Sequence, residues 1–247
     1  VGEDGTVQRV LDRSGVAYAG SRARGASLSL NKVQAREILQ RAGIRMPRAV
    51  SFTIGNQINT AEMSEAVFSQ FGPPYIVKPQ SEGASYGIRF AENLIELPDA
   101  IGDVLDEFGS VLIEEFVRGE QVSAGVIEDF RGQELYVLPP LHVLLPSGSR
   151  IISYDTHEKS LASHSCPSNF SRAEKQAIED IARKAHRAIG LSHFSRADII
   201  LTRRGPYLLE VNALPGLYAG ASFPNMLDAV GSSTKEFIEH SIGLARR

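Results

Sequence analysis

The sequence predicts an α+β fold, as one large domain or two lobes, and three observations predict it. Strand-like and helix-like segments alternate along 247 residues with no internal repeat and no low-complexity tract. Short turns at Arg131-Gly132 and at Arg203-Arg204-Gly205-Pro206 join neighbouring strands, which calls for antiparallel hairpins. A hydrophobic content of 43% is enough to fill one large core or two smaller ones.

The elements follow in order. Thr6 to Ser14 and Ala35 to Ala42 read as helices; Gly43 closes the second, and Pro47 prevents a restart. Ala61 to Phe71 is a helix stopped by Gly72-Pro73-Pro74. Tyr75 to Lys78 is a short strand, a glycine-rich loop follows, and Ile88 to Ala91 returns as its partner. Leu97 to Phe108 is helical and Val111 to Phe116 is a strand. Val122 to Glu128 and Glu134 to Leu138 make a hairpin. Residues 145 to 170 are rich in Ser, His and Pro and read as a long loop of the kind that serves function inside a compact domain. Ser171 to Ile189 is the strongest helix, with Ser171 and Glu174 as a capping box and Gly190 as its stop. Two strands, Phe194 to Leu201 and Tyr207 to Asn212, precede a last helix from Thr234 to Ala245.

Bulk properties exclude several classes. A net charge of -3 offers no polyanion-binding surface, so nucleic acid is not an expected partner. The single cysteine, Cys166, rules out an internal disulfide and fits a reducing cytoplasm. No apolar run approaches the ~18 residues of a membrane span, and no signal peptide is expected from this sequence. The start at Val1, followed at once by Gly2-Glu3-Asp4-Gly5, reads like the interior of a longer chain, so an N-terminal portion is expected to be missing.

The final hairpin carries the first chemical signal. Side chains alternate faces along a strand, so Glu210 and Asn212 point one way and Leu209 and Val211 the other. Ile199 and Leu201 join the apolar face, which puts Arg196 and Asp198 with Glu210 and Asn212. Placing Asp198 opposite Glu210 requires a loop of odd length, with Gly205 in its left-handed position. Two carboxylates and an amide oxygen then share a face. Such hard oxygens suit Mg²⁺, which takes a few ligands from protein and the rest from water and phosphates. A solvated strand face is the plainer alternative.

Lysines and glycines supply the second signal. Lys78 ends a strand, and Glu82, Gly83, Ala84, Ser85 and Gly87 follow in a loop whose small residues let backbone N–H groups approach phosphate oxygens. The spacing is not that of a P-loop. Lys32, just before a helix, is a second candidate cation. Glu114 and Phe116 at a strand end could read an adenine ring; alone, this stretch reads better as an ordinary strand leaving the core, each lysine as a solvated surface residue, and the loop equally as an ordinary glycine-rich turn.

In this order and spacing the residues resemble the ATP-grasp superfamily, specifically the D-alanine–D-alanine ligase family. The resemblance runs through Gly2-Glu3-Asp4-Gly5-Thr6, Tyr18-Ala19-Gly20-Ser21, Asn31-Lys32, Val77-Lys78-Pro79, Glu82-Gly83, Leu112-Ile113-Glu114, Glu158-Lys159, Cys166-Pro167, Arg196-Ala197-Asp198, Glu210-Val211-Asn212 and Pro215-Gly216. It implies an ATP-grasp fold whose two lobes hold the nucleotide between them. Residues 1–26 would end an N-terminal α/β domain, 27–118 would form the central lobe and 119–247 the C-terminal lobe. Lys32 and Lys78 would bind ATP phosphates, with Glu82, Gly83 and Ser85 in the loop over them. Lys159 would close over the γ-phosphate. Glu114, Phe116 and Val117 would line the adenine pocket, and Gln121 falls where the family has its ribose-binding glutamate, with Glu120 beside it. Asp198, Glu210 and Asn212 would bind two Mg²⁺ ions, with Mn²⁺ as an alternative. Arg196 and the N–H of Gly216 would form the oxyanion site. The implied reaction joins two amino acids through an acyl phosphate, as in peptidoglycan precursor synthesis, and the family's frequent assembly is a homodimer.

Three departures concern substrate shape rather than ATP. Ala84 replaces the first serine of the loop, Ser160 replaces an aromatic after Lys159, and Ala221 stands where the family binds the acceptor's carboxylate through serine, with Ser222 adjacent. A ligase for another amino acid or peptide, or a non-catalytic nucleotide-binding remnant, are therefore the competing readings.

Overall fold

The computed structural model describes residues 2–55, 58–83, 85–146, 148 and 162–246. Two antiparallel sheets organise it. The first has strand order β1-β4-β2-β3, from β1 (Ala49–Thr53), β2 (Tyr75–Lys78), β3 (Arg89–Ala91) and β4 (Ser110–Glu115). Helices α4 (Thr60–Phe68) and α5 (Leu97–Phe108) cover it, burying Phe52, Val67, Tyr75, Ile101 and Ile113 in one core.

The second sheet runs β10-β9-β5-β7-β8, with β6 paired to β5. Its strands are β5 (Glu120–Phe130), β6 (Gln133–Val137), β7 (Leu141–Leu144), β8 (Ser163–Ser165), β9 (Phe194–Thr202) and β10 (Gly205–Asn212). One face packs on α2 (Ala23–Leu30), α3 (Lys32–Arg41) and α6 (Arg172–Ile189), burying Leu39, Val122, Ala124, Ile178, Ala197, Ile199, Leu208 and Val211. On the opposite face, α7 (Ser222–Asp228) and α8 (Thr234–Ala245) close a separate core around Ile127, Leu138, Phe223 and Phe237. The first helix, α1 (Thr6–Arg13), lies against α2.

Local chemistry explains the helix ends. Ser171 accepts from the Glu174 N–H, and Glu174 accepts in return from the Ser171 N–H at 2.8 Å, so α6 starts with the predicted box. Gly190 and Gly109 end α6 and α5 in the left-handed conformation.

Several elements differ from the sequence expectation. Helix α4 ends at Phe68 rather than Phe71, and an unforeseen capping box at Asn59 and Glu62 starts it. Strands β1 and β7 and helices α2 and α7 were not expected, because each is short and gains its order from packing. In α2, Gly25 lies so close to α6 that a Cβ there would sit 2.9 Å from the Gly190 carbonyl oxygen. Within the expected 145–170 loop, Ser163–Ser165 pairs with β7 as a strand.

The last hairpin corrects a more consequential expectation. Its turn holds only Arg203 and Arg204, since Gly205 pairs with Thr202. This even-length loop would place Asp198 out of register with Glu210. A β-bulge between Leu208 and Glu210 restores the pairing, so Glu210 faces Asp198 and Asn212 faces Arg196. Leu208, not Leu209, therefore joins Val211 in the core, and Leu209 turns to the same side as Glu210.

Candidate active site

Three neighbouring strands bring the polar residues into rows. Ser123 of β5 pairs with Asp198 of β9, which pairs with Glu210 of β10. The next row is Gly125, Arg196 and Asn212. Because alternate residues of β5 and β9 fill the core behind, the first row, Ser123, Asp198 and Glu210, faces the cleft between the sheets, while Asn212 lines a small adjoining pocket and Gly125 lies against Leu138 and Phe223.

Asp198 is the hub. Its Oδ1 accepts from Ser123 Oγ at 2.7 Å and from Arg196 Nε at 2.9 Å. Its Oδ2 accepts from Arg196 Nη2 at 2.7 Å and from Asn212 Nδ2 at 2.8 Å. Glu210 stands beside it. Burial alone would push the Glu210 carboxyl up, but Lys32, Lys78 and Arg196, with a hydrogen bond from Asn212, hold it below the usual carboxylate range. It stays ionised. Among the described residues no group of three or more His, Cys, Asp or Glu gathers into a metal cage. Two carboxylates and an amide nevertheless fit the way Mg²⁺ binds, with few protein oxygens and phosphates completing the shell.

A second cluster forms the wall opposite. Lys78, at the end of β2, places Nζ 2.8 Å from Glu114 Oε2. Glu114 Oε1 accepts from Arg36 Nη1, also at 2.8 Å, and Arg36 Nη2 donates to the Pro47 carbonyl. All three charged side chains are buried. Lys32, the first residue of α3, lies 3.9 Å from Glu210 Oε2 and donates to the Glu82 carbonyl. Burial pushes its ammonium below the usual lysine range. Lys32, Lys78 and Glu210 thus meet on the charged floor of one cleft, which Glu82, Glu114, Glu115 and Asp198 also line.

The glycine-rich loop hangs over this floor. Tyr86 N–H bonds the Gly83 carbonyl at 3.0 Å, Ser85 adopts a positive φ of 58°, and Gly87 approaches Phe108 too closely for any side chain. Glu82 and Ser85 line the cleft, and Gly83 lines the small pocket adjoining it beside Glu3.

At its other end the cleft is apolar. Ile76 of the first sheet and Ile88, just before β3, oppose Val143 and Leu209 from the second, with Phe116 and Val117 at the link between sheets. The Phe116 ring is held edge-on by Phe90 at 5.3 Å. Gln121 faces the cleft from β5. Glu114 lines the cleft too, but both of its oxygens are committed to Arg36 and Lys78, which leaves neither turned to a base.

Beyond β10, Gly216 leaves room for the Tyr218 ring, which a Cβ would meet at 2.7 Å. Ala221 is buried as the N-cap of α7 without a side-chain cap bond, and Ser222 is the first residue of that helix. Arg196, Gly216, Ala221 and Ser222 are not among the residues lining the nucleotide-sized cleft. Lys159, Ala84 and Ser160 lie outside the described residues.

Sequence reasoning missed Arg36, Ser123 and Leu209. Arg36 follows Lys32 by one helical turn, a spacing that puts both on one face and could have flagged it. Ser123 carries no local signal, and Leu209 depends on the bulge.

Comparison with known proteins agrees with this geometry. The family model described as D-ala D-ala ligase C-terminus matches residues 24–243. The D-alanine–D-alanine ligase of Desulforudis audaxviator is 31% identical over 250 residues, covering 100% of this chain and 78% of that protein. The corresponding enzyme of Maridesulfovibrio salexigens is 31% identical, with 100% and 78% covered. Among solved structures, the VanG D-Ala:D-Ser ligase of Enterococcus faecalis superposes with a TM-score of 0.85 at 29% identity, covering 99% of this chain and 69% of that one. The D-alanyl-alanine synthetase A of Vibrio cholerae gives 0.86 at 26% identity, with 99% and 73% covered.

Proposed function

This chain belongs to the D-alanine–D-alanine ligase family, and from that premise we propose that it uses ATP to join D-alanine to a second amino acid. The observation that carries the reading is the cleft itself. An apolar slot opens directly onto buried Lys78, half-buried Lys32, Asp198 and Glu210, with Asn212 lining the pocket that adjoins it. A flat base fits the slot, and a triphosphate fits the charged floor.

The chemistry follows from the groups present. A substrate carboxylate attacks the γ-phosphorus, the bond to ADP breaks, and an acyl phosphate forms. The amine of the second amino acid then attacks the acyl carbon, loses a proton, and phosphate departs. Phosphoryl transfer of this kind needs mainly positioning and charge neutralisation, which Lys32, Lys78 and, by its place in the family motif, Lys159 supply. Asp198, Glu210 and Asn212 would hold Mg²⁺, which when bound neutralises phosphate charge. Arg196 and the Gly216 N–H donate to the oxyanion of the second step, where one such donor is worth about 3 kcal/mol.

The test is ATP-dependent phosphate release with D-alanine alone, with hydroxylamine present in parallel to trap the acyl phosphate. Binding of ATP without phosphate release or hydroxamate, with any amino acid, would mean a non-catalytic nucleotide-binding protein. A second reading concerns the acceptor. Ala221 offers no hydroxyl at the start of α7, which favours an acceptor other than D-alanine. D-alanine paired in turn with other D- and L-amino acids separates the two: faster turnover with a mixed pair supports the second.

A further inference from the structure

We propose that Arg36 is a positioning residue that acts through Glu114 to leave Lys78 with its charge available to the triphosphate. The proposal rests on the reading that this cleft binds ATP.

The argument is one of charge in a closed place. Glu114 is 3% exposed, Lys78 5% and Arg36 7%, so water cannot stabilise any of them. With Lys78 alone, Glu114 would form a neutral pair, and Lys78 would be spent on its own anchor. Arg36 changes this balance. It takes Oε1 of Glu114 at 2.8 Å and leaves only Oε2 to orient Lys78. The trio then carries one surplus positive charge. Of its two cations, Lys78 lines the cleft and Arg36 does not. A buried surplus charge is costly unless an anion answers it.

Arg36 is also fixed at its other prong. Its Nη2 bonds the carbonyl of Pro47, a residue of the cleft wall. Its guanidinium therefore ties α3, which also presents Lys32, to β4 and through Glu114 to β2. An arginine suits this task because its planar fork bonds two acceptors at once and does not lose its proton on burial.

The experiment compares ATP, AMP and adenosine binding by titration calorimetry to the wild type, Arg36→Lys, Arg36→Met and the double variant Arg36→Met/Glu114→Gln. A role in charge delivery predicts that Arg36→Met loses roughly 10- to 100-fold in ATP affinity while adenosine binds as before and AMP changes little. In turnover it raises KM for ATP more than it lowers kcat. Arg36→Lys recovers most of the loss. The double variant removes the unbalanced carboxylate, returns the surplus charge to Lys78, and binds ATP better than Arg36→Met alone. Equal loss of ATP and adenosine, or a double variant no better than the single one, would overturn the proposal, since either marks a merely structural arginine. So would wild-type ATP affinity in Arg36→Met. Failure of the wild type itself to bind ATP would instead sink the reading of the cleft. Should Arg36→Met not fold, the double variant and Arg36→Lys still decide.

Discussion

Replacing Asp198 by asparagine separates catalysis from folding more cleanly than any other change. The carboxylate accepts five hydrogen bonds, three of them from the Arg196 fork, whose Nε is shared between both oxygens. An amide presents one oxygen and one NH₂. Ser123 can rotate its hydroxyl, and Asn212 can turn its amide, to accept from that NH₂. Arg196 cannot, so one guanidinium bond and the charge pairing are lost. A bond between charged partners contributes about 1.5–3 kcal/mol. The side chains are 16% and 22% exposed, so solvent screens part of the loss. The expected destabilisation is about 2 kcal/mol, within the 5–15 kcal/mol typical of a folded protein. Catalysis should fall much further. Loss of a metal carboxylate removes several kcal/mol of charge stabilisation, which at about 1.4 kcal/mol per tenfold is on the order of 10³ in rate. Circular dichroism should show a folded variant with a modestly lower Tm, and phosphate release should be near background. A folded variant that keeps a tenth or more of wild-type turnover would refute the placing of Asp198 at the metal.

Three further outcomes are expected. Leu209→Ala removes a half-buried wall of the apolar slot, so KM for ATP should rise about fivefold, whereas a bulge residue of no consequence would leave it unchanged. Partial burial pushes the Cys166 thiol up to about 11, so iodoacetamide at pH 8 should label the native protein on the order of 10²-fold more slowly than the unfolded chain; equal rates would contradict its half-buried setting. His193 accepts the Gly20 N–H through Nδ1 at 3.0 Å, and burial lowers its pKa below 6.5. A depressed histidine favours the neutral form in the fold, so its contribution is complete above pH 6.5 and is lost as pH falls through that value toward the lower folded pKa. Tm should therefore drop as pH falls below 6.5, and His193→Asn, which tolerates the positive φ of 65° there, should lose less of its Tm over that window; an equal drop in both proteins would assign the effect elsewhere.

Much of this protein was legible from its residues alone. Periodicity and punctuation located α5, α6 and α8, because each is long, amphipathic and capped by its own side chains or a glycine. Alternation on β9 and β10 was enough to group Arg196, Asp198, Glu210 and Asn212, since faces along a strand are a local property. The tertiary structure decided what depends on distant partners. The β-bulge at Leu209 reconciles a two-residue turn with the Asp198–Glu210 pairing, and nothing within the hairpin sequence announces it. Ser123 reaches Asp198 only because β5 lies beside β9, seventy-five residues apart in the chain. Glu114, read from its strand end as a residue facing a base, proves to be bound on both oxygens by Arg36 and Lys78. Local sequence sets which way a side chain points until a bulge intervenes, as it does at Leu209. Which charge meets it is set by the packing of two sheets and a helix, and burial then makes that meeting strong enough to govern the site.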